Sequence, residues 1–252
     1  MIRFSFEGKV ALITGASRGI GEAIAEALTG YGAHCILVSR DIEALERVVN
    51  KIEEKGGSAE AIACNIGYLE QINTLMDTVR ENHGKLDILV NNAAANPYFG
   101  DMLNAEEWAW DKTNDINLKA PFFMIQAAAK MMMEAGGGAI VNVSSINGVR
   151  PAPFQGIYSI TKAGLTCMTQ AFAKELAPFN IRVNTIMPGL TDTKFSSAIT
   201  AIDDIKNMVI SQIPLKRIAQ PEEIAGAVLY LLSDAASFTT GSCITCDGGM
   251  LA

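Results

Sequence analysis

Seven short apolar runs, each followed by a helix-length stretch, constrain this chain most: Val10 to Thr14, Cys35 to Val38, Ala59 to Ala63, Ile88 to Val90, Ala139 to Val143, Arg182 to Met187 and Cys243 to Thr245. Several runs are apolar at successive positions rather than alternate ones, the pattern of parallel strands buried on both faces. Such a strict strand–helix rhythm predicts an α/β fold, one doubly wound parallel sheet of seven strands with helices on both faces. Pro221 at a first-turn position, with Glu222 and Glu223 behind it, marks the start of the last long helix. Neither a repeat nor a Pro/Gly/Ser linker interrupts the chain, so residues 1–252 are expected to form a single domain. The least regular stretch, Leu190 to Pro214, is the expected position of a mobile substrate lid.

Composition narrows the function classes. Hydrophobic residues make up 49% and charged residues 19%, below the roughly 25% charged of ordinary soluble domains. That balance excludes disorder and predicts extensive burial in a core or in subunit interfaces. The net charge is 20 − 27 = −7, a field that repels nucleic-acid phosphates and anionic membrane surfaces. No stretch reaches the roughly 18 to 20 uninterrupted apolar residues of a spanning helix; the most apolar region, Ala120 to Met133, is broken by Gln126 and Lys130. Glu7 and Lys9 interrupt what would have to be a signal-peptide core. Five cysteines without framework spacing suit a reducing compartment, and a cytoplasmic location is expected. The pair Cys243 and Cys246 lies in an expected strand rather than at a helix start and is read as packing. His34 and His83, the only histidines, are isolated in sequence from any acidic or cysteine cluster, so no metal site and no Ser-His-Asp triad is expected.

The first chemical signal is Thr14-Gly15-Ala16-Ser17-Arg18-Gly19-Ile20-Gly21, directly after the first strand. Three glycines there let the backbone turn sharply and bring the free N–H groups of the next helix against a pyrophosphate, as in Rossmann-type domains. A Gly-Lys-Ser/Thr phosphate loop is absent, which removes kinase and NTPase chemistry. The second signal is Tyr158 with Lys162, four residues apart and so on one helix face. An ammonium beside a phenol favours the phenolate and is expected to lower the tyrosine pKa from about 10 towards neutrality, as a proton donor to a carbonyl oxygen requires. Ser145, thirteen positions before Tyr158, supplies a hydroxyl at the carboxyl edge of the sheet, and its neighbour Ser144 is an alternative.

Taken together, these elements resemble the short-chain dehydrogenase/reductase family over essentially the whole chain. In family order stand the Thr14–Gly21 turn, Asn91-Asn92-Ala93-Ala94, Asn117, Ser145, Tyr158-Ser159-Ile160-Thr161-Lys162, Pro188-Gly189 with Thr193, and Asp247-Gly248-Gly249. The resemblance implies catalysis by four residues. Tyr158 would be the general acid/base, Ser145 would polarise the carbonyl, Lys162 would bind the nicotinamide ribose, and Asn117 would hold a water in the proton relay. It also implies a dinucleotide site formed by Gly15, Ser17, Arg18, Gly19, Ile20 and Gly21, with Ser39, Arg40, Asn65, Ile66, Asn92, Ala93 and Ala94. Tyr158, Lys162, Pro188, Gly189, Thr191 and Thr193 would close it on the nicotinamide side. Two positions depart from the family pattern: Ala94 stands where a glycine is usual, and Asn65 where an aspartate accepts from the adenine amine. The amide oxygen of Asn65 can accept the same bond without charge.

An NAD-preferring site would carry a carboxylate at the end of the second strand, but this strand ends Val38-Ser39-Arg40. The resulting expectation is an NADP(H) preference, with NAD(H) possible, carried by Ser39 and Arg40 with help from Arg18; Asp41 is placed to cap the following helix. The substrate would be a small-molecule ketone, aldehyde or alcohol. The segments Asn96 to Gly100 and Asp115 to Pro121 are similar to carbonyl and retinal reductases of the family. A 3-oxoacyl-carrier-protein reductase is the alternative, against which the acidic balance argues because a carrier protein is itself acidic. A non-catalytic cofactor-binding scaffold is disfavoured by the intact Asn117, Ser145, Tyr158 and Lys162. Family assembly and the apolar faces around Phe122, Phe123 and Met168 imply a homotetramer, with a dimer as the alternative.

Overall fold

The structure, a computed structural model, describes residues 4–196 and 203–252. All seven expected strands form: β1 (Val10–Thr14), β2 (His34–Ser39), β3 (Ser58–Ala63), β4 (Ile88–Asn91), β5 (Gly138–Val143), β6 (Ile181–Pro188) and β7 (Cys243–Cys246). The helices are α1 (Gly19–Gly30), α2 (Ile42–Glu54), α3 (Leu69–His83), α4 (Glu107–Asn114), α5 (Ala120–Glu134), α6 (Gly156–Leu176), α7 (Asp203–Gln212) and α8 (Pro221–Leu232).

The strands lie in the order β3-β2-β1-β4-β5-β6-β7, every neighbouring pair parallel. From β1 the chain winds outward to β3, then returns to β4 on the other side of β1. The crevice opened by that reversal lies at the carboxyl ends of β1 and β4, where doubly wound sheets take ligands. Successive strand residues alternate between two cores. Ala11 and Ile13 face Ile24, Leu28, Leu45 and Val228 of α1, α2 and α8, whereas Val10 and Leu12 face Ile72, Val79, Met124 and Ala128 of α3 and α5. Two buried faces explain why the strands read as continuous apolar runs.

The main exception to apolar strands is a buried polar chain through the middle of the sheet. Asn91 Nδ2 donates to Asn142 Oδ1 (2.9 Å), Asn142 Nδ2 to Thr169 Oγ1 (2.9 Å) and Thr185 Oγ1 to Thr169 Oγ1 (2.6 Å). These bonds tie β4, β5 and β6 to α6 with each donor satisfied, which makes their burial tolerable. At the start of α8, Gln220 N donates to Glu223 Oε2 (2.9 Å), so the first-turn signal read from Pro221 and its glutamates holds. The expected lid contains a 3₁₀ turn (Lys194–Ser196) and α7, while its residues 197–202 lie outside the described residues. Among the described residues no helix is long and apolar enough to cross a membrane.

Candidate active site

The glycine turn is built by close approach. Gly15 adopts φ +66°, a left-handed conformation that favours glycine. At Gly21 a Cβ would lie 2.3 Å from the Gly15 carbonyl oxygen and 2.5 Å from Asn92 Nδ2, so any side chain would push α1 off the turn. Thr14, the last residue of β1, joins this turn to the loop after β4: its Oγ1 accepts from the Asn92 and Ala93 N–H groups (3.0 and 3.1 Å). Asn92 Nδ2 in turn donates to the carbonyls of Thr14 and Gly15 (2.9 and 3.1 Å). The cap residue of α1, Arg18, is exposed and its side chain does not cap the helix. The first-turn N–H groups of α1, and the positive end of its dipole, are therefore available to an anion. A Cβ on Gly19 would touch the Thr193 methyl at 3.0 Å, which places Thr193 over the turn. A cradle this tight, floored by backbone and rimmed by Ser17, Arg18 and Ile20, fits a dinucleotide pyrophosphate.

The adenosine side follows the carboxyl ends of β2 and β3. Asp41 caps α2 by accepting from the Ala44 N–H (3.1 Å), as expected. Arg40 is exposed, and among the described residues neither it nor Arg18 forms an ion pair. Ser39 Oγ sits in a local turn with Asp41, donating to its carbonyl at 3.2 Å. Asn65 Oδ1 accepts from the Gly67 N–H (3.2 Å) and retains one acceptor lone pair; Ile66 beside it is buried. Ala94 is not among the residues with positive φ, so replacing the usual glycine introduces no backbone strain. On the far side Pro188 ends β6, the Gly189 N–H donates to Cys246 O (2.9 Å), and Thr191 Oγ1 returns to Gly189 O (3.1 Å).

The catalytic candidates converge where β5 meets α6. Lys162 is 2% exposed and its Nζ donates to the Val143 carbonyl (2.7 Å). Ser144 Oγ donates back to the Lys162 carbonyl (2.8 Å). Ser144 is thus a buried structural hydroxyl, whereas Ser145, whose Oγ accepts from the Asn147 N–H (3.1 Å), is the serine that acts on the Tyr158 phenol. Asn117 lies in a π-helical turn (Asp115–Lys119) between α4 and α5, an irregularity that recurs at functional sites. Its buried side chain accepts from Ala95 N (2.7 Å) and donates to Ala95 O (2.9 Å) and Thr161 Oγ1 (3.1 Å). Asn117 therefore pins the loop after β4 to the turn of α6 that carries Tyr158.

The electrostatics differ from the expectation. Burial pushes the Tyr158 phenol up to about 12, opposed by the Ser145 hydrogen bond, and pulls the Lys162 ammonium down to about 7. Lys162 Nζ lies 5.5 Å from the phenol ring centre, but the desolvation of both groups outweighs any lowering of the tyrosine. The Phe195 ring, 50% exposed, packs 5.7 Å from the Tyr158 ring, and Phe154 pairs with Phe99 at 5.9 Å. Phe154 holds φ +62°, strain that presents its ring to solvent beside the site. Met187 belongs to the core at 6% exposure. Sequence reading overlooked the bridging role of the Thr14 hydroxyl; the available signal was a polar residue ending an otherwise apolar strand.

This fold, with a glycine cradle at the switch point and a Ser–Tyr–Lys cluster beside it, defines a dinucleotide-dependent oxidoreductase acting on alcohol or carbonyl groups. Comparison with known proteins gives the family. Residues 15–251 match a family model described as enoyl-(acyl carrier protein) reductase. Human dehydrogenase/reductase SDR family member 4 is 40% identical over 241 residues, 96% of this chain and 87% of the human protein. Tropinone reductase-like 3 of Erythroxylum coca is 36% identical over 249 residues, 99% and 95% of the two chains. Among solved structures, L-sorbose reductase from Gluconobacter frateurii complexed with NADPH and L-sorbose superposes with a TM-score of 0.93 at 34% identity, covering 99% of each chain. A short-chain dehydrogenase/reductase from Mycobacterium marinum gives 0.93 at 36% identity over 98% and 97%. The chain belongs to the short-chain dehydrogenase/reductase family.

Because the cradle has no room at Gly21, Gly21→Ala is expected to weaken nicotinamide dinucleotide binding at least tenfold, about 1.4 kcal/mol, with far-ultraviolet circular dichroism preserved. Fluorescence titration of the folded variant checks this.

Proposed function

We propose that the protein is an NADP(H)-dependent reductase interconverting a ketone or aldehyde and the corresponding alcohol by direct hydride transfer. The observation that carries this is the convergence of Ser145, the Tyr158 phenol and the buried Lys162, whose Nζ lies 5.5 Å from the phenol ring centre. When bound, the nicotinamide ring supplies or accepts the hydride. The chain's own groups handle the oxygen. Ser145 donates a hydrogen bond to the carbonyl oxygen and polarises it, and Tyr158 Oη delivers the proton to that oxygen as negative charge develops there. In the oxidative direction the phenolate recovers the proton from the alcohol. A phenol held protonated by burial is suited to reduction, because it reaches the carbonyl as an acid. Lys162 would hold the nicotinamide ribose, and Asn117 would keep the relay water between α6 and the loop after β4.

The dinucleotide would rest on Gly15, Ser17, Arg18, Gly19, Ile20 and Gly21. Asn65 and Ile66 would meet the adenine, and Asn92, Ala93, Ala94, Pro188, Gly189, Thr191 and Thr193 would line the path to the nicotinamide. The NADP(H) preference is supported by the free guanidinium of Arg40 beside Ser39, and by the engagement of Asp41 as a helix cap rather than as a ribose acceptor. Three exposed aromatic rings, Phe99, Phe154 and Phe195, favour a carbonyl with apolar substituents. The segment Leu190 to Pro214 would close over it. A homotetramer is supported by the ring cluster of Phe122, Phe123 and Phe172, in which Phe122 is 40% exposed.

Tyr158→Phe removes the proton donor and little volume. It is expected to lower turnover by about 10² to 10⁴ with dinucleotide affinity near that of the parent, as read by steady-state kinetics beside binding titration. Wild-type turnover in the variant would end the assignment. For the cofactor, kcat/KM should favour NADPH over NADH by at least about tenfold, roughly 1.4 kcal/mol, and Arg40→Ala should remove most of that gap; equal rates in the parent protein would refute the preference.

A further inference from the structure

At the opposite end of β2 from Ser39, three side chains far apart in sequence converge. His34 opens β2, Glu60 lies on β3, the edge strand of the sheet, and His83 ends α3. Each offers one ligand atom within 4.8 Å of the others. His83 Nε2 donates to Glu60 Oε1 at 2.7 Å, and His34 Nε2 lies 3.9 Å from the same oxygen, too far for a hydrogen bond. We propose that His34, Glu60 and His83 form a binding site for a divalent cation of the zinc class, separate from the active site.

Four observations support it. First, two imidazoles and a carboxylate are a donor set that zinc takes, with a fourth position left to water. Second, His34 Nε2 is a buried polar atom that finds no hydrogen-bond partner among the described residues. A buried atom in that state is costly unless something completes it. Third, His34 Nδ1 lies 2.7 Å from Ser58 Oγ. A proton held on Nδ1 by that hydroxyl leaves the Nε2 lone pair facing Glu60 and His83, the outer contact that orients a ligating histidine. Fourth, ligand atoms about 2.0 to 2.2 Å from a tetrahedral zinc are about 3.3 to 3.5 Å apart. The 2.7 and 3.9 Å separations bracket that value and all three ligand atoms lie within 4.8 Å of one another, so side-chain shifts of roughly half an ångström to one ångström bring them to it.

The carboxyl end of the α3 dipole also points its negative pole at this position. Burial, and then His83 beside it, hold the His34 imidazole below its ordinary pKa, in the neutral form that ligates. On binding, the cation takes the place of the proton between His83 and Glu60, which leaves to solvent. Its effect would be to brace the edge strand against α3, at a point where β-sheets are otherwise vulnerable.

The chain contains only two histidines, so histidine-ring NMR of the full-length, chelator-treated protein reads the site without any substitution. One equivalent of Zn²⁺ is expected to shift both rings together, and calorimetry is expected to give one Zn²⁺ per chain. His83→Ala and Glu60→Gln should each weaken that binding at least tenfold. Histidine resonances unmoved by Zn²⁺, or binding undiminished in both variants, would overturn the proposal.

Discussion

The site depends on a lysine buried where an ammonium is costly. Among the described residues no carboxylate pairs with Lys162; its Nζ meets the Val143 carbonyl, and Ser144 bonds the Lys162 carbonyl in return. This reciprocal pair locks the end of β5 to the second turn of α6. Ser145 continues from that strand end and Tyr158 sits one turn earlier on the helix, so the clamp also sets the distance between the two groups proposed to face the substrate oxygen. The same burial moves the two titrating groups in opposite directions, the phenol up to about 12 and the ammonium down to about 7. Each is pushed towards its neutral form, as a water-poor interior requires.

The cofactor half is built from backbone proximity and one hydroxyl. Thr14 collects two N–H groups of the loop after β4, and Asn92 returns its amide to two carbonyls of the glycine turn. β1 and β4 are hydrogen-bonded neighbours at the topological switch, so these contacts rigidify the point where the two halves of the sheet diverge. The π-helical turn at Asn117 then links that loop to α6. The proposed phosphate cradle and proton donor are thereby positioned by one connected set of bonds.

Much of this was legible in the sequence because it follows from local chemistry. Continuous apolar runs report burial on both faces, and each of the seven strands appears within a residue or two of its expected ends. The i, i+4 spacing of Tyr158 and Lys162 reports a shared helix face, and Asp41 reports a cap. What could not be read depends on where distant segments meet. Ser144 and Ser145 are adjacent and chemically identical, and only the packing of α6 separates a structural hydroxyl from one beside the phenol. The expected lowering of the tyrosine pKa assumed a solvated pair, whereas both side chains are buried and desolvation decides the direction. His34 and His83 looked isolated because a β-strand start and a helix end meet only after β3 brings Glu60 between them.

The central claim is that burial poises Lys162 between charge states beneath Tyr158, and direct titration of its side chain tests it. In the ligand-free protein, NMR of isotopically labelled lysine, with Lys162→Met identifying the resonance, should show one lysine with a midpoint near pH 7. Below that pH the folded chain carries the buried charge, and above it only the unfolded chain keeps the proton, up to its ordinary pKa of about 10.4. A Lys162 midpoint at or above about 10.4 would contradict the account, because the ammonium would then be as well solvated as any on the surface.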